Sequence, residues 1–136
     1  MFEGIITPIV TPFNRDKEES INYEATEKLI NYLIEHGVKG IFILGSNGEF
    51  HVVDEDEKVE FAKKVVEIVN KRVPVFVGTG CCSTRATVRL SKKMEEIGAD
   101  ALSVITPYFL KPTDENLYAH YKAVAQSVNI PIVLYN

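Results

Sequence analysis

Apolar positions along the chain fall into two alternating patterns. Compact runs rich in β-branched residues occur at 4–10, 40–44, 73–77, 101–105 and 130–135, each too short and too apolar for a surface helix. Between them lie longer stretches whose apolar residues recur at helical spacing. Ala25, Leu29, Tyr32, Leu33 and His36 make one such stripe, and Leu117, Tyr121, Val124 and Val128 another. Local signals bracket these helices: Asn22 and Thr113 have the side chains of N-caps, Asp54 with Glu57 resembles a capping box, and Gly37 and Gly98 supply left-handed stops. The predicted order is β-α-β-α-β-α-β-α-β.

Continuous apolar strands joined by helices predict a parallel sheet covered on both faces, because a half-exposed antiparallel strand alternates polar with apolar residues. Right-handed crossovers follow. A weak repeat spans two βα units: Glu35-His36-Gly37 before the second strand matches Glu96-Ile97-Gly98 before the fourth, and Val73-Pro74-Val75 matches Ile130-Pro131-Ile132. Five strands and four helices suit either a barrel built by repetition or a flavodoxin-like doubly wound sheet. Pattern alone leaves both open.

Composition narrows the function classes more than the fold. The 136 residues carry 15 Lys and Arg against 19 Asp and Glu, a net charge of -4, with no basic stripe of the kind that nucleic-acid phosphates require. No apolar run approaches the roughly 20 residues that span a bilayer. The opening MFEGIITPIVTPF has no basic region of a signal peptide, so a cytoplasmic protein with no membrane partner is expected. Cys81 and Cys82 are neighbours, not a spaced disulfide framework, and His36, His51 and His120 are too scattered for a metal site. No metal or other cofactor is expected.

In either architecture, ligands bind where strands end. The segment after the second strand, Gly45-Ser46-Asn47-Gly48-Glu49, holds two glycines expected to let the backbone turn tightly and expose N–H groups beside a hydroxyl and an amide. That suits a carboxylate or phosphate guest. The same residues are also compatible with a Gly-rich turn whose polar side chains satisfy their own backbone.

GSNGE after strand two, VPVFVGTG at strand three, TPYFLKP after strand four, PIVLYN at strand five and the opening GIITPIVTPF occur in one order across the chain. Together they resemble the dihydrodipicolinate synthase and N-acetylneuraminate lyase family. The resemblance implies the N-terminal half, (βα)4 plus strand five, of a (β/α)8 barrel, with 1–136 as an incomplete barrel domain. It implies a lyase of class I aldolase type, in which a lysine amine and a 2-oxo acid such as pyruvate form a Schiff base that acts as an electron sink. By position, Ser46 and Asn47 would bind the carboxylate and Tyr135 would be the catalytic phenol that relays protons. A free phenol, with a pKa of about 10, needs hydrogen-bonded neighbours for that role.

Two departures bear on the reaction. Synthases of the family usually have Thr-Thr where this chain has Ser46-Asn47, and Tyr-Tyr where it has Tyr108-Phe109. The second tyrosine of that pair reaches a neighbouring subunit's site, and Phe109 has no hydroxyl. These features favour aldolases of 4-hydroxy-2-oxo acids or 2-keto-3-deoxy sugar acids, with dihydrodipicolinate synthase as the alternative. A non-catalytic carboxylate- or phosphate-binding half-barrel is the alternative from another class.

The family's Schiff-base lysine lies on strand six. Lys28, Lys58, Lys63, Lys64, Lys92, Lys93 and Lys122 fall on predicted helices, Lys39 precedes a strand, and Lys17, Lys71 and Lys111 sit in loops. A solvated lysine stays protonated, so the chain alone is expected to be inactive. Its two unpaired sheet edges and exposed apolar face favour a homo-oligomer or a complementary half-barrel partner.

Overall fold

The computed structural model describes residues 2–136. Strands β1 (Ile6–Pro8), β2 (Gly40–Ile43), β3 (Val75–Gly78), β4 (Ala101–Ile105) and β5 (Ile132–Tyr135) alternate with helices α1 (Tyr23–Glu35), α2 (Glu55–Val69), α3 (Thr84–Glu96) and α4 (Asp114–Ala125). All neighbouring strands are parallel, in the order β1-β2-β3-β4-β5. A doubly wound sheet reverses its strand order partway across, whereas this one never does. Successive right-handed crossovers in one direction place every helix on the same side. The result is the N-terminal half of a (β/α)8 barrel.

Covering of both faces, expected from the apolar strands, is therefore corrected to one face. The outward row, Ile41, Ile43, Val75, Val77, Leu102 and Val104, is sealed beneath the helices together with Phe61, Val65, Leu90 and Met94. The inward row, Ile6, Pro8, Phe42, Phe76, Ser103, Val133 and Tyr135, follows from the strand register and lines the barrel interior. No helix packs there among the described residues.

The capping signals lie where the sequence places them. Asn22 Oδ1 accepts from Ala25 N–H (2.8 Å), Thr113 Oγ1 accepts from Asn116 N–H (3.3 Å), and Asp54 N–H donates to Glu57 (3.1 Å). Gly37 and Gly98 both have positive φ, at 88° and 92°. Ser83, which accepts from Ala86 N–H, is a further cap that the pattern did not single out. The first stripe is rotated from its expected setting: Thr26 and Ile30 are the buried residues of α1, while Tyr32 and His36 stack on each other in solvent, ring centroids 4.0 Å apart. On α4 the buried residues are His120 and Val124.

Candidate active site

The rim formed by the C-terminal ends of the strands is where barrel chemistry resides, and the turn after β2 dominates it. The chain leaves β2 through Leu44 at φ 55°, passes Gly45 in an extended conformation, makes a single 3-10 turn over Ser46–Gly48 and exits through Glu49 at φ 52°. The left-handed positions are thus Leu44 and Glu49, not the glycines. Each such non-glycine residue costs about 1–3 kcal/mol that surrounding packing must offset. The glycines serve close approach instead. A Cβ on Gly45 would stand 2.9 Å from the Phe42 ring, and one on Gly48 3.2 Å from the Ile9 carbonyl oxygen. On the neighbouring strand, a Cβ on Gly78 would lie 1.9 Å from the Leu44 carbonyl oxygen, so a residue without a side chain is required where the turn crosses.

Within the turn, Gly48 N–H donates to the Gly45 carbonyl (3.0 Å) and Glu49 N–H to that of Ser46 (3.1 Å). The N–H groups of Ser46 and Asn47 precede this ladder and have no acceptor inside it. Thr11, buried at 4% exposure, donates from Oγ1 to the Gly48 carbonyl at 2.7 Å and fixes the turn to the segment after β1. Sequence reasoning passed over Thr11, although it lies in the VTPF portion of the opening motif.

Opposite the turn stands Tyr135, the last residue of β5. Its hydroxyl lies 3.0 Å from Ser46 Oγ, a hydrogen bond between residues 89 positions apart in which either oxygen can donate. The Phe42 ring meets the Tyr135 ring edge-on, centroids 6.2 Å apart, and supports it from the barrel interior. Ser46 and Tyr135 are therefore brought together, while Asn47 stands exposed on the same turn. Below them the inward face forms a concavity of 260 Å³ lined by Phe42, Phe76, Ser103, Val133 and Tyr135, among others. A larger opening of 720 Å³ lies at the opposite end of the strands, but the Arg72 guanidinium there is engaged by Asn31 and the Ile68 and Val69 carbonyls. That end serves stability.

The rim continues through the loops after β3 and β4. Tyr108 packs edge-on against buried Phe50, centroids 5.5 Å apart, and its phenol is pushed up to about 12, first by burial and then by the adjoining Cys82 thiol. Phe109 is 95% exposed at φ 77°. Nine of the eleven lysines are exposed, and the half-buried pair, Lys58 and Lys93, sits on helices α2 and α3. Among the described residues, none of the His, Cys, Asp and Glu side chains form a group able to hold a metal ion, and no helix is long and apolar enough to cross a membrane.

A parallel half-barrel with a polar turn and a facing phenol at the C-terminal ends of its strands has the architecture of the (β/α)8 barrels. The model of the dihydrodipicolinate synthetase family matches residues 1–136. The chain belongs to that family. It is 44% identical, over its whole length, to 46% of a 4-hydroxy-tetrahydrodipicolinate synthase from Clostridium perfringens. A prophage protein of the dihydrodipicolinic acid synthase family from E. coli, solved with pyruvate, superposes with a TM-score of 0.95 at 40% identity, over 100% of this chain and 45% of that one. A chloride-inhibited dihydrodipicolinate synthase from Acinetobacter baumannii, also complexed with pyruvate, gives 0.95 at 40%, over 100% and 46%. The chain thus spans about half the length of the relatives it matches.

Proposed function

We propose that residues 1–136 form the N-terminal half of a barrel domain and carry the 2-oxo acid carboxylate site of a Schiff-base lyase, with pyruvate as ligand. The 3.0 Å bond between Ser46 Oγ and Tyr135 hydroxyl is the observation that carries this reading. It joins a turn that offers two N–H groups and a hydroxyl to a carboxylate with a phenol placed to pass a proton along the same hydrogen bond. A carboxylate held by Ser46 and Asn47 points its 2-oxo carbon toward Tyr135, and Ser46 lets the phenol give up or regain a proton without stranding a charge. The electron sink is an imine on a lysine, which the resemblance places on a sixth strand. The exposed or helix-borne lysines of this chain do not fill that role.

Within the family, the relatives' names favour 4-hydroxy-tetrahydrodipicolinate synthase over the aldolase branch toward which Ser46-Asn47 and Phe109 point. The aldolase reading retains one specific support: Phe109, fully projecting from the loop after β4, carries no hydroxyl to share in a relay. Cytoplasmic location and self-association belong to the same proposal.

A pyruvate titration of the chain followed by calorimetry tests the site. Ser46→Ala is expected to weaken binding about tenfold, the cost of one hydrogen bond to a charged group. Borohydride with pyruvate is expected to leave the mass of this chain unchanged, yet to add a reduced pyruvyl group when the chain is combined with the C-terminal half of the Clostridium relative. Binding without any adduct in the combined sample would instead identify a non-catalytic carboxylate module. No binding by either would sink the reading.

A further inference from the structure

The Ser46–Gly48 turn is held at its far end from outside. Thr11, 4% exposed, donates its hydroxyl to the Gly48 carbonyl at 2.7 Å, across 37 positions of the chain. The segment that carries Thr11 is itself fixed on both sides: Ile9 N–H donates to the Phe42 carbonyl (2.9 Å), the Pro12 carbonyl accepts from Asn22 N–H (2.7 Å), and Phe13 bridges to Ile21. A side chain that is stiff about its first torsion thus stands on an anchored backbone, with its hydroxyl aimed at one acceptor.

That acceptor belongs to the peptide between Gly48 and Glu49, whose N–H donates to the Ser46 carbonyl at 3.1 Å. The same peptide sets Glu49 at φ 52°, a left-handed conformation that strains a residue with a side chain. Turning the peptide over brings Glu49 out of that region, and Gly48, with no Cβ, can absorb the matching change in its own ψ. Two hydrogen bonds oppose the flip, one at the carbonyl and one at the N–H. The second lies within the turn and is lost with it, whereas the first is anchored on the segment after β1.

We propose that Thr11 is a positioning residue for the 2-oxo acid carboxylate: its hydrogen bond holds the Gly48–Glu49 peptide against a flip that would unwind the 3-10 turn and misalign the Ser46 and Asn47 N–H groups. The proposal rests on the reading of that turn as a carboxylate site. Thr11 acts through the turn, not on the ligand. Without its hydroxyl the buried Gly48 carbonyl has no donor, so the flip is favoured twice, by relief at Glu49 and by release of that carbonyl.

Two readouts test this: calorimetric affinity of the folded chain for pyruvate, and exchange of the Glu49 amide proton, followed by NMR relative to the amides of α2. Thr11→Val, of matching shape, is expected to bind pyruvate about tenfold more weakly and to exchange the Glu49 amide about tenfold faster. Thr11→Ser keeps the donor and is expected to stay within about threefold of the unaltered chain in both. Thr11→Val combined with Glu49→Gly is expected to regain most of the lost affinity, because glycine removes the strain that drives the flip. A merely structural threonine would lower stability in urea and leave affinity and relative Glu49 exchange unchanged, which would overturn the proposal. So would Thr11→Ser as weak as Thr11→Val, or a double variant no tighter than Thr11→Val. If the unaltered chain binds no pyruvate, the carboxylate reading fails by itself, and Glu49 exchange in Thr11→Val and Thr11→Ser still decides whether Thr11 holds the peptide.

Discussion

The two faces of the sheet are built from the same strands but obey different rules. Outward, Ile41, Ile43, Val75, Val77, Leu102 and Val104 are aliphatic and none is more than 2% exposed, because each lies under a helix. Inward, the alternate positions hold Ile6, Pro8, Phe42, Phe76, Gly78, Ser103, Val133 and Tyr135, where rings, small residues and hydroxyls stand among the aliphatics. The outward face selects for volume and apolarity alone. The inward face must also leave room for the Leu44 turn to cross and for a phenol to reach Ser46, and so it departs from the aliphatic pattern where the site lies.

Breaking the outward face has the largest expected effect. Phe61 on α2 is fully buried in this layer, so Phe61→Ala should remove about 3–5 kcal/mol of stability, read from urea unfolding by far-ultraviolet circular dichroism. On the inward side, Gly78→Ala sets a methyl group against the backbone of Leu44, which cannot move aside without undoing the turn. A loss of about 3 kcal/mol is expected, together with weaker pyruvate binding. Phe61→Ala should lower stability while leaving the affinity of the remaining folded protein intact. If Gly78→Ala leaves binding unchanged, the crossing at Leu44 is not what shapes the Ser46-Asn47 turn.

The outward face was legible in the sequence because burial there follows periodicity. Strand β4 falls where the apolar run does, and the N-caps and glycine stops bound the helices as expected. Strand ends were less legible. The run at 4–10 forms a strand only over Ile6–Pro8, where it pairs with β2, and the run at 73–77 begins late and extends to Gly78. Leu44 drops out of β2 because it turns left-handed, a conformation no local pattern assigns to leucine. The inward face was barely legible. That Gly45 and Gly48 avoid contacts instead of supplying positive φ depends on Phe42, Ile9 and Thr11, and the Ser46–Tyr135 bond depends on closure across two intervening strands. Only the resemblance of motifs had placed those two residues in one site.

A smaller effect lies between α2 and α3, where Glu55 accepts from Arg89 Nε (3.0 Å) and Nη2 (2.5 Å) and from Lys93 Nζ (2.9 Å). The hydrogen bonds from Arg89 and then Lys93 lower its carboxyl from 4.5 to about 2. A depressed carboxyl favours the folded state above its unfolded pKa, and that contribution disappears as pH falls from 4.5 toward 2. Solvent reaches the cluster, so the contribution is about 1 kcal/mol, well below what the shift alone implies. Glu55→Gln should flatten that part of the acid limb in pH-dependent urea unfolding; an unchanged limb would mean the two helices are held by their apolar contacts alone.

Leu134 sharpens the comparison most finely. It belongs to the outward row, beside Val104, yet it is 63% exposed, because no helix covers β5 among the described residues. If burial by helices is what gives the outward face its strength, Leu134→Thr should change stability by no more than about 0.5 kcal/mol, in contrast to Phe61→Ala one layer away. Unfolding at two protein concentrations tests this directly. A loss of several kcal/mol that grows with concentration would mean that β5 is covered in solution by another copy of the chain. The outward face would then be continuous, and only the inward face open.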